Sequence, residues 1–211
     1  GCSQDYSLAP PADSEKVTVT VKLPKELQAR RMQVIYRSTR CTFTDHTASG
    51  KSYQRDGYQR SDKELMRQGQ SDFYVAKVPM DGGGACRWRL SNLTFGVKYG
   101  EPTLFGENVT FGAGGGVTVI FDRNNSPRGG ANIKVDGDLT IEKDYYPWVS
   151  ESFIGKYKKD VNLLSEGPDY FLTYQALQAR QVYFEPILHT DLLISSVGPK
   201  VKKKGNYAVF T

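Results

Sequence analysis

Val17-Thr18-Val19-Thr20-Val21-Lys22-Leu23 alternates apolar and polar side chains without a break and stops at Pro24. A period of two puts the apolar residues on one side of an extended chain, so the segment reads as a half-buried β-strand. The same period recurs outward from it. Within residues 32–44, Met32, Val34 and Tyr36 share one face, and Gln33 and Arg37 mark the other. Cys86-Arg87-Trp88-Arg89-Leu90 turns its cysteine, tryptophan and leucine inward and both arginines outward. Leu93, Phe95, Val97 and Tyr99 continue that pattern to Gly100.

Further strand-like runs cover residues 73–78, 109–111, 117–121, 133–135 and 139–141, with Asp136-Gly137-Asp138 reading as a hairpin between the last two. Residues 170–174, 181–184, 192–197 and 207–210 also look extended. Helix is confined to single turns at 63–67 and 175–180. Asp81-Gly82-Gly83-Gly84 reads as a turn, and Gly112 to Gly116 as a wide turn or bulge. Strands spaced by about 8 to 12 residues with turn signals between them predict a mainly β fold, an antiparallel β-sandwich with long loops and little helix. The longest loops fall at residues 45–71 and 144–159. Residues 16–211 form one domain, with a sub-boundary near 122–130, and residues 1–15 have the composition of a flexible tether.

The chain has 211 residues, enough for a real core, and 13 tyrosines with 10 phenylalanines mark it as globular rather than disordered. No apolar run approaches the roughly 18 residues of a membrane-spanning helix, so membrane attachment would be peripheral or covalent. The net charge of +5 is scattered, apart from a run at Lys200 and Lys202 to Lys204, and reads as a solvated surface. Beyond Cys2 there are two cysteines, Cys41 and Cys86, without a Cys-x-x-Cys or a histidine at zinc-ligand spacing. A disulfide between two strands in an oxidising compartment is the economical reading; two buried free thiols are the alternative.

The chain opens Gly1-Cys2-Ser3-Gln4-Asp5-Tyr6-Ser7, followed by a Pro-containing polar spacer. This start resembles a bacterial lipoprotein just after its signal peptide, with Gly1 as the end of the lipobox and Cys2 as the acylated residue. The resemblance implies export and a lipid anchor. Ser3 after the cysteine implies transfer to the periplasmic face of the outer membrane. The competing reading of Cys2 is an incidental exposed thiol.

Catalytic signals are sparse. No Gly-x-Ser-x-Gly elbow is present, and Asp45-His46 points to opposite sides of a strand, so a solvated loop histidine is the simpler reading. His189 and Asp191 would share a face, but no further metal ligands accompany them. The glycine cluster 112–116 lacks the Lys-Ser/Thr of a phosphate loop. No catalytic residue, cofactor or metal is assigned. Arg87-Trp88-Arg89 could stack on nucleic acid, but its alternation assigns the tryptophan to the core, and export argues against nucleic acid as a partner.

What remains is a protein-binding surface. Tyr53, Arg55, Tyr58 and Arg60 in the first long loop, and Tyr145, Tyr146, Trp148 and Tyr157 in the second, are the side-chain types that dominate interfaces. Alternatively, the same aromatics close the ends of the sandwich. The layout of lipidated cysteine, short tether, β-rich body and disulfide is similar to that of immunity lipoproteins that neutralise lipase-type effectors of type VI secretion systems. The resemblance implies a cognate toxin as partner. A structural or assembly lipoprotein of a secretion or envelope apparatus is the alternative.

Overall fold

The computed structural model describes residues 4–123, 133–165, 171–191, 193–198 and 209–210. Cys2, the lysine run at 200–204 and most of the 122–130 segment lie outside the described residues. The chain begins with β1 (Lys16–Lys22), β2 (Leu27–Ala29), β3 (Met32–His46), β4 (Ser52–Lys63), β5 (Met66–Arg67) and β6 (Phe73–Pro79). It continues through β7 (Asp81–Gly83), β8 (Trp88–Tyr99), β9 (Thr110–Phe111), β10 (Gly115–Ile120), β11 (Ile133–Lys134) and β12 (Leu139–Ser152). The last strands are β13 (Lys158–Ser165), β14 (Phe171–Gln175), β15 (Gln181–Leu188), β16 (Ile194–Val197) and β17 (Val209–Phe210).

These strands form two sheets. One runs β17-β16-β12-β15-β1-β6-β5, with β13 and then β9 on the other side of β12. The second runs β11-β14-β10-β8-β3-β4, with β2 and β7 also on β8. The mainly β, sandwich-like architecture matches the alternation in the sequence. Strand direction is a different matter. β1 and β12 both run parallel to β15, and β10 runs parallel to β14, so both sheets are mixed. Alternation specifies which face is apolar and carries no information on direction.

The apolar faces meet as the period requires. Val17, Val19 and Val21 of β1 are at most 1% exposed, and so are Val97 and Phe184. Phe95 of β8 and Phe184 of β15 bridge the sheets edge to face, with ring centroids 5.8 Å apart. The buried set on β8 changes phase, however, from Trp88 and Leu90 to Leu93, Phe95, Val97 and Tyr99. An uninterrupted strand cannot bury both sets on one face. The pairing of β8 with β3 slips between Ile35 and Tyr36, and this bulge accommodates the extra residue and keeps both sets in the core.

Several connections differ from the expected ones. Asp136-Gly137-Asp138 does not make a hairpin: β11 joins β14 in one sheet and β12 joins β15 in the other. Asp138 instead accepts the backbone N–H groups of Arg180 and Gln181 at 2.8 and 3.0 Å, and these bonds hold its carboxyl below the usual carboxylate range. Residues 63–67 and 175–180 are not helical; the helical turn of the described chain is the 3-10 segment Pro102–Phe105. The stretch 45–71 is largely strand, as is 144–159, because β3, β4, β12 and β13 extend through them.

Residues 4–15, expected to be a free tether, are bonded onto the sheet from Tyr6 onward. The Trp88 indole N–H donates to the Tyr6 carbonyl at 2.9 Å, Ala9 N–H to Gly82 O at 2.9 Å, and Met80 N–H to Glu15 O at 2.8 Å. The glycines after Asp81 make room for this strap. A Cβ on Gly83 would lie 2.1 Å from Ala9 O, and one on Gly84 would lie 2.4 Å from Ser7 O. Both also have positive φ, +61° and +76°.

Cys41 and Cys86 are bonded, with Cα atoms 5.4 Å apart and a sequence separation of 45. Such bonds persist in oxidising compartments and are rare in the cytoplasm, so the chain belongs outside the cytoplasm. Closing a loop of this length stabilises the fold by about 4 kcal/mol in the chain-entropy account. Replacing both cysteines by serine should therefore lower the urea unfolding free energy by about that amount. A loss below about 1 kcal/mol would show that the crosslink closes little of the unfolded chain's freedom.

Candidate protein-binding site

β3 leaves the body of its sheet after Arg37, the last residue that pairs with β8. Beyond it, residues 42–46 pair only with residues 52–56 of β4, so the end of the hairpin is a two-stranded ribbon in solvent. An isolated ribbon is marginal in water, and its order has to come from cross-strand contacts and from its base.

The cross-strand contacts separate by face. Phe43 lies opposite Arg55, and Asp45 opposite Tyr53, on one side; Thr44 lies opposite Gln54 on the other. On the first side the Arg55 guanidinium sits 5.4 Å from the Phe43 ring centre and donates to Asp45 Oδ2 at 2.8 Å. Phe43 also meets Tyr58 edge to face at 6.0 Å. On the second side the Gln54 amide donates to Thr44 Oγ1 at 2.7 Å. The Arg55 hydrogen bond, followed by the Asp45 contact with the His46 backbone N–H, draws the Asp45 carboxyl below its ordinary pKa.

The base is held by a second bulge. The β3–β4 register slips between Ser38 and Thr42, leaving residues 39–41 unpaired on β3. Buried Ser38 organises this bulge. Its Oγ accepts the N–H groups of Arg40 and Cys41 at 3.1 and 2.9 Å and donates to Cys86 O at 2.6 Å. The disulfide ties the same point to the chain just before β8. Gly57 lies under the bulge, where a Cβ would come within 2.0 Å of Cys41 O. Where ribbon, disulfide and strap converge, a notch of about 350 Å³ opens, lined by Tyr6, Cys41, Thr42, Phe43, Gly57, Tyr58 and Trp88.

Of the residues expected to bind a partner, Tyr53, Arg55 and Tyr58 come together on this ribbon. Phe43 joins them and was missed; its position opposite the Arg55 candidate was the available signal, but it depends on a register the sequence does not state. Arg60 lies nearer the sheet, paired with Asp62 at 3.0 Å. The second group does not form one surface. Tyr145 is 1% exposed, packed in the core against Gly115, and burial pushes its hydroxyl pKa up. Tyr146 stacks on His189 at 4.9 Å, and the half-buried Trp148 donates its indole N–H to Ser196 Oγ at 2.7 Å. Tyr157 is exposed in the β12–β13 turn beside Phe153. Tyr145 belongs to the core, and Trp148 is half-buried against Ser196.

The residues considered for catalysis also have structural partners. Asp45 pairs with Arg55 rather than with the His46 ring, and His189 Nε2 lies 2.8 Å from Oδ1 of Asp144 on β12, whereas Asp191 lies in the turn after β15. The glycine cluster is a zone of close approach: a Cβ on Gly112 would meet Asn162 Oδ1 at 2.0 Å and one on Gly115 the Tyr145 hydroxyl at 2.3 Å. Among the described residues no group of three His, Cys, Asp or Glu side chains could hold a metal, and no helix is long and apolar enough to cross a membrane. No protein-family description, curated protein or solved structure matches this chain.

The Asp45 carboxyl pKa is depressed in the folded chain, so its contribution is present above about pH 4, the unfolded range, and is lost as pH falls through the lower folded value. In an NMR pH titration the Asp45 carboxyl should titrate below the ordinary aspartate range, with the Phe43 and Tyr58 ring signals moving in step. Titration at the unperturbed value would mean that the Arg55 contact does not persist in solution.

Proposed function

We propose that this chain is an exported envelope protein that binds another protein through the β3–β4 ribbon. The observation that carries the reading is the ribbon itself. It exposes Tyr58 at 60%, Tyr53 at 43% and Phe43 at 37%, and a disulfide and the Ser38 bonds hold it rigid at its base. Exposed rings held in place lose little entropy on contact, which is the property of an interface anchor. The disulfide agrees with secretion, and the Gly-Cys-Ser start supports a lipid anchor on Cys2 at the outer membrane. Membrane attachment then rests on the acyl chains.

The specific form we favour is an immunity lipoprotein that neutralises a lipase-type effector reaching the periplasm. A projecting rigid ribbon suits insertion into an enzyme cleft, and a tether short enough to be docked from Tyr6 onward keeps that ribbon close to the bilayer on which such an effector acts. The second reading is an assembly lipoprotein of an envelope apparatus. It is favoured by β4, whose 12 residues pair with β3 alone and leave one edge free among the described residues to accept a further strand.

Envelope pull-down separates the two readings. The native chain should capture a secreted toxin and protect cells from it, and Tyr58→Ala with Phe43→Ala should weaken capture by roughly 2 kcal/mol or more, the scale of interface anchors. Capture of apparatus subunits without protection would favour assembly. Capture unaffected by both substitutions would remove the ribbon as the binding surface.

A further inference from the structure

β4 is the last strand of its sheet and pairs with β3 alone, so the main-chain groups along its other side have no strand partner among the described residues. Such an edge is a template for a further strand, and proteins commonly blunt it with proline, a bulge or charges. β4 contains no proline. The register shift in its pairing is taken up by residues 39–41 of β3, so β4 itself runs without an inserted residue. Charges are present, at Arg55, Asp56, Arg60, Asp62 and Lys63. Their order along the strand decides what the edge can accept.

The order suits a second β4, antiparallel to the first about a two-fold axis. Residues opposite each other in an antiparallel pair share one hydrogen-bonding orientation, and that orientation alternates along a strand. Two copies of one strand therefore meet only in registers centred on a residue. Centred on Asp56, the pair sets Asp56 against Asp56. Centred on Gln59, it sets Arg55 against Lys63 and Asp56 against Asp62. Like charges directly opposite each other destabilise both arrangements. Centred on Gly57, no charged residue faces another. Centred on Tyr58, Asp56 stands opposite Arg60 on both sides of the axis, Gln54 opposite Asp62, and Tyr58 opposite Tyr58. Opposite charges and paired rings are the cross-strand contacts that stabilise sheets. The groups needed are at hand. Asp56 has no ion pair among the described residues, and Arg60 engages Asp62 through Nε, which leaves its terminal nitrogens for a second carboxylate.

We infer that two copies of this chain join through their β4 edges, antiparallel about Tyr58, into one continuous sheet. Residues 53–63 of both strands take part, and they form on the order of ten main-chain hydrogen bonds, as many as a typical interface carries. Those bonds hold the pair. The charges choose its register, because surface ion pairs add little stability while like charges in the wrong register cost a good deal. The inference goes beyond the partner-binding reading and does not depend on it. The pairing sets two hairpins side by side whichever protein they meet, and it closes β4 to a foreign strand.

Sedimentation velocity on the full chain with Cys2→Ser, so that acylation plays no part, should show a concentration-dependent equilibrium of monomer and dimer. D56R and R60D each place like charges opposite one another on both sides of the axis, and each should weaken dimerisation about tenfold or more. Mixed in equal amounts, the two variants should form a heterodimer, since every reversed charge then meets its opposite. An unfolded variant could not restore pairing in this way. Tyr58→Cys should give a disulfide-linked dimer under mild oxidation, because opposite Cα atoms in an antiparallel pair lie within disulfide reach. Ser61→Cys should not, as the two copies of that position lie roughly 20 Å apart in this register. A chain that stays monomeric at millimolar concentration would overturn the proposal. So would protection of the outward β4 amides from hydrogen exchange in the monomer, which would mean that the chain itself covers the edge. A dimer that survives both charge reversals, or crosslinks through Ser61→Cys and not Tyr58→Cys, would overturn it as well. Envelope capture by a chain that remains monomeric would sink the pairing and leave the partner-binding reading standing.

Discussion

The covalent link between Cys41 and Cys86 joins two places the backbone could not otherwise hold together: the bulge where β3 leaves its sheet and the turn that leads into β8. Without it, the ribbon beyond the bulge would rest on its own cross-strand contacts and the Ser38 hydrogen bonds, and an isolated two-stranded ribbon is marginal in water. The bond acts together with Ser38, whose hydroxyl serves both sides of the junction, and with Gly57, which leaves the space the bulge occupies. The projecting ribbon, the notch beneath it and the seat of the N-terminal strap all depend on this junction.

The body of the protein positions that junction by simpler means. Apolar faces from two sheets close on each other around Phe95 and Phe184, and the β8 bulge reconciles two buried sets of opposite phase. Glycines admit close approaches that any side chain would block, at Gly115 beneath Tyr145 and at Gly83 beneath the strap. The chain is therefore rigid where it meets solvent aromatics as well as in its core, and that rigidity makes exposed Tyr58 and Phe43 useful rather than merely exposed.

Electrostatics divides the surface into settled and unsettled regions. Arg55 and Arg60 are paired within the β3–β4 hairpin, whereas the exposed Arg40, Arg87 and Arg89 form no ion pair among the described residues. Surface ion pairs add little stability, so the satisfied pairs matter mainly for orientation.

The candidate site was half legible. Tyr53, Arg55 and Tyr58 stood out by residue type, and Cys41 with Cys86 by number and context. Tyr145 and Trp148 were misplaced because an aromatic-rich run looks alike in a loop and in a strand buried on one face. The alternation of residues 17–23 and 86–90 by itself determined that this protein is built from strands with defined inner faces, since a period of two is a local property of the extended chain. The tertiary structure decided which strands run parallel, where the phase changes are absorbed and which aromatics stay outside. Those outcomes depend on contacts between residues far apart in the chain, and no local pattern encodes them.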